Sequence, residues 1–119
     1  MTDEEEAAAF AAVVNDPKVW RDMPDIKTQI ADEAKRIVSG ARRAAYGKPE
    51  DNFARIARFW DAYFKNTGRN IDITAKDVSP LMRLMKEARL CETPDHADSF
   101  VDMVGYTLTG AEVNGVKLP

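Results

Sequence analysis

Apolar residues in this chain recur three and four positions apart, and nowhere do they alternate with polar ones for more than a few residues. Ile26, Ile30, Ile37, Val38 and Ala41 fall on one side of a run from about Pro24 to Ala45. Phe53, Ile56, Ala57, Trp60, Tyr63 and Phe64 do the same further on, as the richest aromatic stripe in the sequence. That period admits helices and leaves little room for strands. Pro17, Pro24, Pro49 and Pro94 each precede a periodic run, where a missing N–H does no harm. The pattern predicts five helices, over residues 3–14, 24–45, 50–66, 74–90 and 95–113. Gly40 falls inside the second, at a cost of ~1 kcal/mol against alanine, which suggests a close helix contact there. Thr74 and Asp77 form a partial capping box, and Pro80 is expected to kink or restart the fourth helix. One apolar stripe per helix implies an all-α, antiparallel helical bundle of about five helices.

A chain of 119 residues fits a single domain with its own core. The expected division is an acidic N-terminal helix and linker (1–20), a core bundle (24–113) and a short tail (114–119). No apolar run approaches the ~20 residues that cross a bilayer, and the acidic opening does not resemble a secretory leader. The single Cys91 rules out an internal disulfide framework and a cysteine-rich zinc site. Together these lead to an expectation of a cytoplasmic protein.

The net charge of -3 conceals an asymmetry. Residues 1–34 carry nine acids against three bases, and residues 35–69 carry nine bases against three acids. Compensation within the chain or between subunits is the simpler use of such a split. The acidic total argues against nonspecific DNA binding.

Chemistry concentrates in the last quarter. Lys86 and Arg89 end one helix, and Asp95, His96, Asp98, Ser99 and Asp102 open the next. On a wheel of ~100° per residue, Phe100, Val104, Leu108 and Ala111 gather on one side of the last helix, its expected buried face. Asp98 and Asp102 stand nearly opposite, with Asp95 nearby and Gly105 and Thr109 continuing their strip. Oxygen ligands on one helix face suit Mg²⁺, with a phosphate completing its shell. A solvated acidic face is the simpler account of two carboxylates alone, but the small residues Gly105 and Thr109 beside them allow something to approach closely. Arg89 shares an arc with Val78, Met82 and Met85, so its guanidinium calls for an anion. Lys86, Arg89, Asp98 and Asp102 either pair with one another or divide a bound phosphate–metal unit. His96 is the only histidine and could serve as general base, base-edge contact or helix cap. Around Gly47, Tyr46 and Asn52 offer a stacking ring and an amide, although a plain interhelix turn also explains the loop.

The series Tyr46-Gly47, Asn52-Phe53, Lys86, Arg89, His96, Asp98-Ser99, Asp102 and Gly105-Tyr106 resembles a family of small phage-encoded proteins of unassigned function over residues 42–113. More distantly it resembles the MazG-like all-α nucleotide pyrophosphohydrolases. That likeness implies a homodimer or larger homo-oligomer, a nucleotide or dinucleotide ligand and a Mg²⁺ cofactor. It sets Asp98, Ser99 and Asp102 on the second acidic helix of such a site, with Lys86 and Arg89 facing the phosphates. Joined to the reading of the residues themselves, the candidate metal ligands are Asp95, Asp98 and Asp102 and the candidate catalytic groups His96 and Asp98. Tyr46, Asn52, Lys86, Arg89, Ser99 and Tyr106 would contact the ligand. The sequence departs from the pattern in one respect: it contains no Glu-x-x-Glu pair. A noncatalytic interaction protein, or a nucleotide sponge acting against host defence signalling, is the alternative.

Overall fold

The computed structural model describes residues 1–14 and 25–119. Every regular element among them is helical: α1 (Asp3–Val14), α2 (Ile26–Ser39), α3 (Ala41–Tyr46), α4 (Pro49–Asn66), α5 (Ala75–Glu92) and α6 (Ala97–Val113). The roles expected of Pro17 and Pro24 fall outside the described residues. Helices α2 to α6 pack together, most extensively α6 against α5 and α2, whereas α1 packs against no other described helix.

The run expected over 24–45 is two helices, because Gly40 leaves helical geometry at φ -99°, ψ -129°. Its role is therefore a break between α2 and α3, not the close contact anticipated. Asp25 caps α2 by accepting the Thr28 N–H at 2.8 Å. Gly47, at φ 75°, ends α3 in the left-handed region that glycine tolerates. Pro49 then opens α4 at its first turn, so chain direction changes within three residues. Thr74 donates its N–H to the Asp77 carboxylate at 2.8 Å, one half of the capping arrangement that starts α5. Pro80 neither ends nor restarts that helix; α5 runs through it, with the proline on the exposed side.

The core is small. Phe53, Ala57 and Val78 are its buried centre, with Ile56, Trp60, Ile73, Met82 and Tyr106 packed around them. Tyr63, expected on the same stripe, is 60% exposed. A larger departure concerns α6. Its expected buried face is only partly covered: Phe100 and Leu108 are both about two-fifths exposed, and Val104 and Ala111 are half-buried. The residues it buries are Ser99, Gly105 and Gly110. The reason is steric. A Cβ on Gly110 would lie 2.5 Å from the Ser79 hydroxyl oxygen, and one on Gly105 would lie 3.3 Å from a Val38 methyl. Small residues let the α6 backbone settle against α5 and α2, and that close approach prevails over burying the larger side chains. Ser79 reinforces the seam by donating its hydroxyl to the Tyr106 carbonyl at 2.6 Å.

Candidate functional site

Where α6 faces α2 and the α3–α4 turn, packing is looser and leaves a cleft of about 280 Å³. Its walls are mainly apolar: Ile37 and Val38 from α2, Phe53 and Ile56 from α4, Val78 and Met82 from α5, Val101 from α6. Polar groups enter from separate segments. Arg43 and Tyr46 come from α3, Asn52 from the first turn of α4, and Asp102, Tyr106 and Thr109 from α6. An apolar hollow with a few convergent polar groups is the usual form of a small-molecule site.

Each polar group has a local reason for its place. The turn at Gly47 sets Tyr46 and Asn52 on the same rim. Gly105 brings the α6 backbone close enough for Asp102, Tyr106 and Thr109 to line the cleft instead of solvent. Thr109 spends its hydroxyl on its own helix, donating to the Gly105 carbonyl at 3.0 Å. Asn52 is half-buried, and its side-chain amide has no hydrogen-bond partner among the described residues. An amide so placed offers a donor and an acceptor edge to whatever enters.

Charge is arranged in two pairs. Lys86 donates to Asp102 at 2.8 Å, with only 15% and 20% of the two side chains exposed. Arg43 donates to Glu112 at 3.0 Å, both ends in solvent. The first pair answers one question raised by the sequence: Lys86 and Asp102 neutralise each other directly. The second involves a cleft residue that the sequence reading did not single out. Arg43 stands one helical turn before Tyr46, so the two share a face of α3. That spacing was visible in the sequence.

The remaining sequence candidates lie elsewhere. His96 caps α6, accepting the Ser99 N–H at Nδ1 over 3.3 Å and lying 2.7 Å from the Ser99 hydroxyl. Of its three anticipated roles, the cap is the one the geometry displays. Ser99 is fully buried and does not line the cleft. Asp95 precedes the helix and is exposed, as is Asp98 in its first turn. Arg89 is not drawn into an apolar arc. Burial on that side of α5 ends with Met82; Met85 is half exposed and Arg89 is exposed. Among the described residues no three His, Cys, Asp or Glu side chains come together as a metal site. Asp95, Asp98 and Asp102 are not gathered into such a group. No helix of the described residues is long and apolar enough to cross a membrane.

A family model described as a domain of unknown function, DUF6378, matches residues 29–114, which include every wall of this cleft. The chain belongs to the DUF6378 family. Two phage proteins share sequence with it. The Gene 55 protein of Mycobacterium phage D29 is 43% identical over 77 residues, 65% of this chain and 48% of that protein. The Gene 55 protein of Mycobacterium phage L5 is 40% identical over 73 residues, 61% of this chain and 44% of that protein. The chain spans about half the length of these curated relatives. No solved structure matches it. These findings bear out the likeness to phage-encoded proteins of unassigned function. α1 lies outside the DUF6378 match.

Proposed function

We propose that this phage-family protein binds a nucleotide, holding the base in the cleft between α6 and the α3–α4 turn. The observation that carries the reading is the convergence of Tyr46, Asn52, Asp102 and Tyr106, with Arg43, on one largely apolar hollow. A flat heteroaromatic base suits such walls, and Asn52 supplies the hydrogen-bonding edge that orients it. Arg43 takes a phosphate oxygen by exchanging its partner: the solvent-facing bond to Glu112 contributes at most ~1 kcal/mol, so a phosphate at the rim competes with it readily. Lys86 is committed to Asp102 and is not itself free for the phosphate.

Binding without turnover is the form of the proposal that fits these residues. Metal-assisted hydrolysis requires charge neutralisation and an oriented water together. Neither a carboxylate cage nor a histidine aimed into the cleft is formed by the described residues. A nucleotide-sequestering or nucleotide-sensing protein in the host cytoplasm is therefore favoured over a pyrophosphohydrolase.

The test is equilibrium dialysis of the purified protein against a panel of nucleosides, nucleotides and cyclic dinucleotides, with Mg²⁺ or with EDTA, followed by chromatography of every fraction. Retention of intact ligand in both conditions, weakened by Asn52→Ala, is expected. Mg²⁺-dependent release of pyrophosphate would replace sequestration with hydrolysis. No retention of any member would remove the nucleotide reading.

A further inference from the structure

The outer face of α4 has an unusual composition for a solvated surface. Arg55, Arg58, Phe59 and Tyr63 lie along one side of the helix, all exposed, Phe59 at 73% and Tyr63 at 60%. Neither arginine forms an ion pair among the described residues, although four other cationic side chains of α2 to α5 do. Two arginines beside two bare aromatic rings make a cationic surface with an apolar continuation.

The chain holds a segment of opposite character. α1 begins with Asp3, Glu4, Glu5 and Glu6 and continues as alanine, phenylalanine and valine. Its acidic turn is exposed and makes no ion pair among the described residues. An isolated helix of twelve residues is marginal in water and draws its stability from packing. Yet α1 packs against no other described helix.

We propose that α1 docks on the Arg55–Arg58–Phe59–Tyr63 face of α4 in a second copy of the chain. The spacings agree when the two helices run parallel. From the middle of the acidic turn to the middle of residues 7–12 is about 8 Å along α1, and from the arginine pair to the midpoint of Phe59 and Tyr63 is about 7 Å along α4, at ~1.5 Å per residue. The acidic turn then lies over the two guanidinium groups, and the apolar stretch of α1 covers the rings. Reciprocal exchange of α1 between two copies closes the assembly about a two-fold axis. Nucleic acid is the other partner that a basic aromatic face attracts. Glu50 and Asp51 in the first turn of α4, and the four acids of α1 in the same molecule, oppose it. This docking is independent of the nucleotide reading, since none of its residues lines the cleft.

The experiment is sedimentation equilibrium of the full chain across a salt series, with far-ultraviolet circular dichroism to confirm helicity of each variant. The wild type should dimerise, with affinity falling as salt rises. Arg55→Glu with Arg58→Glu should weaken the dimer by about a hundredfold, or about 0.7 kcal/mol for each of the four charges reversed in the two-fold assembly. Adding Glu4→Lys and Glu5→Lys to that variant should restore it, which a change in folding alone would not do. A monomeric wild type overturns the proposal, including the case of α1 folded onto α4 of its own chain. So does a dimer that is indifferent to both sets of reversals, or a mixed-sequence oligonucleotide bound by the wild type and lost in the arginine variant.

Discussion

The two sides of α6 show what one helix does when its neighbours approach to different depths. Towards α5 the contact is closed: Gly110 lies flush against Ser79, the Ser79 hydroxyl reaches the Tyr106 carbonyl, and Lys86 neutralises Asp102. Towards α2 and the α3–α4 turn it is open. Val38 touches down at Gly105, and beyond that point a cleft of about 280 Å³ remains. The same device, a glycine in mid-helix, serves fixation on one side and access on the other. The closed side should therefore carry stability, and the open side should carry binding.

The strongest way to break that contrast is Gly110→Ala. Alanine gains ~1 kcal/mol of helix propensity, yet its Cβ would overlap both the Cβ and the hydroxyl of Ser79, at 2.6 and 2.5 Å. Overpacking of that kind costs ~1–3 kcal/mol, and the displaced serine loses a hydrogen bond of ~1 kcal/mol. A net loss of about 2 kcal/mol is expected by denaturant unfolding. Adding Ser79→Gly should recover much of it, because the obstructing atoms leave. A Gly110→Ala protein as stable as the wild type would show that the seam is not closed.

Asp102→Asn comes next. It leaves the mostly buried ammonium of Lys86 beside a neutral amide, for an expected loss of about 1–2 kcal/mol. The full penalty of a broken interior pair, ~3–5 kcal/mol, does not apply, because both side chains reach water. Combining it with Lys86→Met should cost less than the sum of the single changes, the mark of a direct pair in a double-mutant cycle. Strict additivity would mean that the 2.8 Å contact contributes nothing.

The sequence conveyed the elements more readily than the faces they turn inward. Helical period, Pro49 and the Thr74–Asp77 cap located α4 and α5 to within a few residues, since those signals act locally. For α6 the wheel was right about which residues share a side and wrong about which side is buried. Hydrophobicity ranked Phe100 and Leu108 above Gly105 and Gly110, while the fold ranked closeness of backbone approach above area. Tyr46, Asn52 and Asp102 are legible from the residues and Tyr106 only through the family resemblance, and all four line the cleft. His96, Asp98 and Ser99 were read as chemistry because they cluster in sequence. In space His96 and Ser99 form the start of a helix and Asp98 faces solvent. Arg43 went unremarked among its basic neighbours, because only the turn at Gly47 gives it a cleft to face.

The smallest stability effect, and the sharpest test of the open side, is expected from Gly105→Ala. Its Cβ would approach a Val38 methyl at 3.3 Å, a contact that a half-buried valine relieves by moving a few tenths of an ångström. That cost is offset by the helix-propensity gain of ~1 kcal/mol, so unfolding free energy should change by no more than about 0.5 kcal/mol. Any movement of Val38 acts on the wall of the cleft, and the new methyl takes volume from its interior. Ligand retention should therefore fall while stability stays level, the reverse of the Gly110→Ala result. Equal losses of stability at both glycines would mean that α6 is packed alike on its two sides, and that the cleft is a gap in the packing with no binding role.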